Sequence, residues 1–223
     1  MTEYYPPQVQ SGETPRLSDT LPPNPAPQPE PKEEKLSGMG STIAVLLLAP
    51  LVALFLTAFV FQSYQVDGPS METTLQNNDR LLVWKLPRTW ARITKHDYIP
   101  KRGDVVIFVE RDSTGLGQGS GKQLIKRVVA LPGERVVINN GILTVYNKEN
   151  PKGFQPDRTL PYGNVIPETS GKRDVTVPKG SLYVVGDNRN NSLDSRSFGP
   201  IEAHDLVGKL VLRVWPLGNA KKF

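Results

Sequence analysis

Arg135-Val136-Val137-Ile138-Asn139-Asn140-Gly141-Ile142-Leu143-Thr144-Val145-Tyr146 decides the class of the fold. Two short runs rich in β-branched residues flank an Asn-Asn-Gly turn. Asn and Gly tolerate the backbone angles that a tight hairpin requires. The same alternation of apolar run and turn signal continues outward in both directions. Strand-like runs fall at 63–67, 80–86, 104–110, 123–130, 135–138, 142–146, 182–185 and 207–215, punctuated by Pro132-Gly133 and Pro178-Lys179-Gly180. No helix-period segment is read after residue 62. Short strands at turn-punctuated spacing predict a mostly β domain over 63–223, an antiparallel and barrel-like sheet. Residues 147–175, polar and rich in Pro and Gly, read as a variable insertion or long loop, and 115–121 as a flexible hairpin tip.

Upstream the pattern changes. Residues 43–61 read Ile-Ala-Val-Leu-Leu-Leu-Ala-Pro-Leu-Val-Ala-Leu-Phe-Leu-Thr-Ala-Phe-Val-Phe, an uncharged run. About 20 apolar residues span a bilayer, so 42–62 is expected to be a transmembrane helix, kinked or not at Pro50. Lys32 and Lys35 precede it, and Arg80 is the first basic residue after it. The positive-inside rule therefore favours a cytoplasmic N-terminal tail and a β domain on the exported side of the cell membrane. No basic segment leads into the run as it would in a secretory signal peptide. The tail, 1–40, holds the run Pro22-Pro23-Asn24-Pro25-Ala26-Pro27-Gln28-Pro29-Glu30-Pro31. Such a segment favours extended polyproline II conformations and buries too little to fold, so it is expected to be disordered.

Composition closes off several chemistries. The chain has 223 residues and no cysteine, which excludes a disulfide framework, a thiolate metal site and a cysteine nucleophile. Two histidines, His96 and His204, make a histidine-rich metal site improbable on numbers alone. The net charge of +5 is unevenly spread. The tail carries Arg16, Lys32 and Lys35 against Glu3, Glu13, Asp19, Glu30, Glu33 and Glu34. The folded part is thus strongly basic, which suits an anionic lipid surface. Nucleic acid is the other anionic partner, but no helix-turn-helix, zinc or RNA-binding motif is present, and it is not expected.

The chemistry starts at Gly68-Pro69-Ser70-Met71-Glu72-Thr73-Thr74-Leu75. Gly68 and Pro69 end a strand and put Ser70 in a turn close to the membrane run. A serine hydroxyl needs a base to act as a nucleophile. Neither His96 nor His204 sits in an unusual local sequence. A lysine serves if it is neutral, and a desolvated lysine loses several pKa units. Gln123-Leu124-Ile125-Lys126-Arg127-Val128-Val129-Ala130 places Lys126 and Arg127 on opposite faces of an apolar strand. If both faces are covered, at least one cation is buried. On an edge strand, Lys126 would instead snorkel to water. A third polar stretch runs from Gly186-Asp187-Asn188-Arg189 through Ser192, Asp194 and Arg196 to Pro200. It offers hydroxyls to orient a lysine, and an Asp194–Arg196 pair to lock the loop. Loops of this composition also cap themselves through Asx turns.

Taken together, Ser70-Met71, Gly103-Asp104-Val105-Val106-Ile107-Phe108, Lys126-Arg127-Val128 with Leu131-Pro132-Gly133-Glu134, and Gly186-Asp187-Asn188-Arg189 through Arg196 resemble the type I signal peptidase (leader peptidase) family, in that family's order and behind a membrane anchor. The resemblance covers 43–215 and implies a membrane-bound serine endopeptidase. Such an enzyme removes signal peptides from exported preproteins after small residues in an Ala-x-Ala-like pattern. It implies Ser70 as nucleophile, Lys126 as general base and Ser192 as the serine that orients the lysine. Asp194 and Arg196 become a structural pair, and Asp187 and Asn188 take shaping roles. An extended substrate would add as a strand beside 65–68 and 123–126. No metal or organic cofactor is implied, and the expected partners are signal peptides and membrane lipids. Two positions depart from the family. Gly68 stands where some members carry a serine whose hydroxyl serves the oxyanion hole, and Thr73 stands where many carry proline. Two rival readings are a self-cleaving Ser–Lys protein of the repressor type, and a tethered β module that binds peptides without cutting them.

Overall fold

The computed structural model describes residues 35–110, 121–163 and 166–223. Two compact units divide the chain, Met1–Leu46 and Leu47–Phe223. The described part of the first, from residue 35, is helical throughout. It belongs to helix α1 (Lys35–Phe55), which runs through Pro50 without ending. A π-helical turn, Leu56–Val60, completes it. Residues Ser41–Val60 are long and apolar enough to cross a membrane. The helix stops at Val60 rather than at residue 62, because the chain enters strand β1 (Phe61–Gln65) directly.

The second unit is built on antiparallel strands. After β1 come β2 (Arg80–Trp84), a short helix α2 (Leu86–Thr94), β3 (Val105–Val109), β4 (Gln123–Ala130), β5 (Arg135–Asn139) and β6 (Ile142–Tyr146). Then follow helix α3 (Pro156–Thr159), β7 (Arg173–Thr176), β8 (Ser181–Val185), helix α4 (Ser195–Phe198), β9 (Ile201–Glu202), β10 (Leu206–Trp215) and β11 (Lys221–Lys222). The larger sheet runs β1-β2-β10-β3-β4-β8-β9, with β11 on β10, and a smaller one runs β6-β5-β7. The fold is mostly β and antiparallel, as the turn-punctuated pattern required. The Asn139-Asn140-Gly141 hairpin closes as expected, pairing Asn139 with Ile142, with Asn140 and Gly141 both at positive φ.

Helix α2 corrects the reading that no helical period follows the span. Leu86, Trp90 and Ile93 are spaced i, i+4, i+7, and Pro87 lies in the first turn, where its missing N–H costs nothing. Residues 85 and 86, taken for strand, belong to the helix and its cap. The segment 147–175 is not a free insertion either. Phe154 exchanges two backbone hydrogen bonds with Val145 at 2.8 and 2.9 Å, α3 follows, and β7 begins at Arg173 on the edge of β5. The expected hairpin tip at 115–121 lies outside the described residues, save Gly121, and so does the tail before residue 35.

The core gathers where strands change neighbours. Val106, Phe108, Val128, Leu182, Val184 and Leu206 pack in one cluster, and Val66, Met71, Leu75, Leu81, Val105 and Leu210 in another. The second cluster fixes the segment that carries Ser70. Strand β4 has two partners: β3 along 123–127, and β8 only from Arg127 onward. Toward β8, residues Gln123–Lys126 therefore have no ladder partner among the described residues. That open edge forms one side of the site.

Candidate active site

Ser70 stands at the head of a helical turn whose other side is nailed into the core. Met71 and Leu75, one turn apart, are fully buried. Leu75 N donates to Met71 O at 2.8 Å, and Glu72 N to Pro69 O at 3.0 Å. The turn is entered through Gly68 at φ +98, a conformation that L side chains rarely adopt. Gly68 N donates to Asn77 Oδ1 at 3.0 Å. Gly68 thus has neither a hydroxyl nor a free N–H to offer. Thr73 lies at φ +82, which a proline ring cannot reach, so this turn has a shape that excludes proline at that position.

Lys126 meets this turn from β4, where its backbone pairs with Val106. Its side chain is buried, with the residue 2% exposed, and Nζ donates to Ser70 Oγ at 2.8 Å and to Ile125 O at 2.9 Å. Burial penalises the cation and lowers the amine pKa from 10.5 to about 8. Lys122 pushes in the same direction, while Asp194, Glu110 and Asp187 oppose it without cancelling the desolvation. The face question raised by the sequence is answered for both cations: Arg127 is 4% exposed. It is paired. Its Nε and Nη2 bind the two oxygens of Asp187 at 2.8 and 2.6 Å, Nη1 donates to Gly103 O at 2.7 Å, and the guanidinium lies 4.2 Å from the Tyr162 ring centroid.

The loop after β8 closes over Ser70. Asn188 N donates to Ser70 O at 3.1 Å, and its Nδ2 donates to Pro69 O at 3.2 Å and to Glu72 Oε2 at 3.3 Å. Asp194 caps α4 by accepting from Arg196 N at 3.1 Å. It also accepts from Gly186 N at 3.0 Å and, through both oxygens, from Arg196 Nε and Nη2 at 2.9 and 2.8 Å. Burial alone would raise the Asp194 carboxyl, but these hydrogen bonds outweigh it and hold its pKa below the ordinary aspartate value. Ser192 Oγ is buried without a hydrogen-bond partner. It reaches the site by another route. A Cβ on Gly186 would lie 2.1 Å from Ser192 Oγ and 2.5 Å from Ser70 O, so glycine is what lets the three meet.

Two contacts escaped the sequence. Arg189, fully buried, holds Asp157 of α3 in a bidentate pair and also donates to Thr169 and, at 3.0 Å, to Gly186 O. The 147–175 segment is thereby locked to the loop beside Ser70. The other is Arg127–Asp187. Both join residues 32 and 60 positions apart, and only the isolated cation in an apolar strand hinted at the second. His96 and His204 are outside the site. His96 Nδ1 lies 2.7 Å from Thr94 O, and His204 is half exposed between Glu202 and Asp205. That trio is the one place among the described residues with ligand atoms close enough to share a cation, and it touches neither Ser70 nor Lys126.

Ser70 and Lys126 open into a groove of about 380 Å³. Residues Tyr64 to Gly68 form one wall, Gln123 to Ile125 the other, and Leu193 reaches in from the loop. A serine hydroxyl and a depressed amine thus sit between the outer edge of β1 and the unpaired edge of β4. This is an arrangement suited to acyl transfer on an extended chain.

Residues 39–215 match the family model described as signal peptidase, peptidase S26. The chain is 35% identical over 175 residues to the probable signal peptidase I-1 of Synechocystis sp., covering 78% of this chain and 81% of that one. It is 34% identical over 177 residues to signal peptidase I of Bacillus caldolyticus, with 76% and 87% covered. With signal peptidase I of Leptolyngbya laminosa the identity is 32% over 201 residues, with 89% and 91% covered.

Proposed function

The chain belongs to the signal peptidase family, peptidase S26, and from that membership we propose that it removes signal peptides from exported preproteins with Ser70 as nucleophile and Lys126 as general base. The observation that carries the assignment is the 2.8 Å contact between Lys126 Nζ and Ser70 Oγ at the floor of the groove. Neutral Lys126 takes the Ser70 proton as Oγ attacks the scissile carbonyl. The lysine, now protonated, donates to the leaving amine, and an acyl-enzyme remains. Lys126 then activates a water that releases the acid product and restores the hydroxyl. Lowering the lysine pKa from 10.5 to about 8 corresponds to about 3 kcal/mol disfavouring the buried cation, a cost the fold carries in order to hold a usable base. Without that shift the amine would be neutral about once in 3,000 at pH 7; with it, about once in ten.

The oxyanion of the tetrahedral intermediate needs donors. Ser70 N–H makes no hydrogen bond within the protein among the described residues and is one candidate. Gly68 supplies none, so a second donor comes from the backbone or from substrate-bound water. The substrate enters as a strand between the outer edge of β1 and residues Gln123–Lys126 of β4, and is cut after small residues as in the family. Asp194, Arg196, Asp187 and Asn188 act by positioning: the first two fix the loop, Asp187 holds Arg127, and Asn188 clamps the carbonyls on either side of the nucleophile's backbone. Ser192, at the meeting point of Gly186 and Ser70 O, is assigned to orienting the lysine.

The 1–40 tail would lie in the cytoplasm, Ser41–Val60 would cross the cell membrane once, and the β unit would work on its outer side. Ser70 follows Val60 by ten residues, so it lies no more than about 36 Å from the end of the span. That suits a substrate whose cleavage site emerges beside the bilayer. A serine-directed acylating probe tests the assignment. Mass spectrometry should find the adduct on Ser70 in the wild type, and Lys126→Ala should slow its formation by orders of magnitude. An adduct forming equally fast without Lys126 would refute the pair, and no adduct on Ser70 would favour a peptide-binding module.

A further inference from the structure

Helix α2 is turned inside out. In an ordinary surface helix the apolar stripe faces the core and the charged residues face water. Here Leu86, Trp90 and Ile93 share one face and that face is open, with Trp90 64% and Ile93 70% exposed. No residue of the helix is buried. The opposite side carries Arg88 and Arg92, which with Lys95 and His204 line a cavity of about 230 Å³ against the body of the β unit. Arg88 Nε is buried there without an acceptor. Residues 85–95 contain four cations, Lys85, Arg88, Arg92 and Lys95, and no acid.

The helix is also tied to the last turn of the apolar helix. Lys85 N donates to Val60 O at 2.8 Å, Lys85 Nζ to Ala58 O at 2.9 Å, and Thr89 Oγ1 to Phe59 O at 3.4 Å. Trp84, paired with Phe61, adds a second exposed indole at the same end of the sheet. An exposed apolar stripe, an indole, cations without acids, and anchorage at the mouth of a span are the attributes of an interfacial helix.

We propose that α2 lies in the interfacial layer of the bilayer, with the Leu86–Trp90–Ile93 stripe at the acyl boundary and its cations among anionic headgroups. This rests on the reading of Ser41–Val60 as a membrane span. The bilayer is the apolar phase already present where the stripe begins, and its negative surface complements the exposed cations Arg92 and Lys95. A single span leaves the β unit free to swivel. A second attachment removes that freedom and holds the groove at a fixed height for a cleavage site leaving the membrane.

The chain's lack of cysteine allows single nitroxide labels to be placed at will. The full chain, reconstituted in vesicles of phosphatidylcholine and phosphatidylglycerol, is labelled at Ile93→Cys, at Leu51→Cys within the span, and at Glu149→Cys on an exposed turn. Collision rates with oxygen and with a water-soluble nickel chelate then report depth. The label at 93 should read as immersed, about 5–10 Å below the headgroups, with oxygen collisions dominant as at 51 and opposite to 149. It should become shallower when phosphatidylglycerol is left out, and equal depth in both vesicles would overturn the headgroup half of the proposal. A label at 93 as aqueous as that at 149, with 51 immersed, would overturn the proposal and leave the span intact. A label shielded from both reagents would overturn it in favour of a protein partner or a second copy. An aqueous label at 51 would remove the span, and this inference with it.

Discussion

If neutral Lys126 is the base, the pH dependence of cleavage reports its pKa. Burial sets that value near 8 instead of 10.5. Below it, the neutral fraction falls tenfold per pH unit. The fraction is about one in a hundred at pH 6, one in ten at pH 7 and nine in ten at pH 9. The full chain in detergent, assayed for kcat/KM on a peptide with a small-x-small site and no group titrating between pH 5.5 and 9.5, should therefore gain about tenfold from pH 6 to 7. It should gain about tenfold again from pH 7 to 9, then level off. Two neighbours test the electrostatics behind the number. Glu110 raises the Lys126 pKa and Lys122 lowers it, so Glu110→Gln should move the acid limb to lower pH and Lys122→Gln should move it higher. A limb still rising tenfold per unit at pH 10 would mean an ordinary lysine. A flat profile between pH 7 and 9 would mean that the rate does not depend on a base of this kind, and either result would refute the reasoning.

The same burial makes a stability prediction of known sign. The cation is disfavoured in the fold, so the penalty is fully present below pH 8 and disappears as pH rises from about 8 to 10.5. Lys126→Met should therefore raise stability at pH 7 by about 1 kcal/mol, that is about 3 kcal/mol of relieved desolvation less about 1 for each of the two lost hydrogen bonds; in denaturant titrations the gain should pass through zero near pH 9 and become a loss of about 2 kcal/mol above pH 10.5. Arg127→Met should cost about 3–5 kcal/mol, because Asp187 would be left fully buried and unpaired, and Arg127→Met with Asp187→Leu should recover most of it in the same titrations. Gly186→Ala should lower kcat/KM by at least about tenfold with the circular dichroism spectrum retained, because the new methyl would overlap the Ser70 carbonyl, which cannot move without moving the Ser70 hydroxyl.

The strands could be read from the sequence where their signals were local. Gln123–Ala130 and Ile142–Tyr146 begin and end where the apolar runs do, because turn residues bound them closely. The pairing of Ser70 with Lys126 came from the resemblance to the signal peptidase family; the strand pattern alone left Lys126 either buried or snorkelling from an edge. Helix α2 was not legible as a helix on a core, because its periodic residues face outward and supply no packing signal. The partners of Arg127 and Arg189 were invisible. Long-range ion pairs depend on which loops the sheet brings together, and no local pattern encodes that. Ser192 shows the opposite limit: its place in the motif was clear, but its hydroxyl finds no hydrogen-bond partner in the structure, and Gly186, named in that motif without a role, is what brings it near Ser70.

The central claim is that Ser70 and Lys126 together cut a signal peptide. The direct measurement is cleavage of a purified preprotein by the detergent-solubilised full chain, wild type beside Ser70→Ala and Lys126→Ala, with an established signal peptidase cutting the same preprotein in parallel. The expected result is one cut after a small-x-small site by the wild type and none by either variant, each with its circular dichroism spectrum intact. Full cleavage by either variant, or none by the wild type while the parallel enzyme cuts, would contradict it.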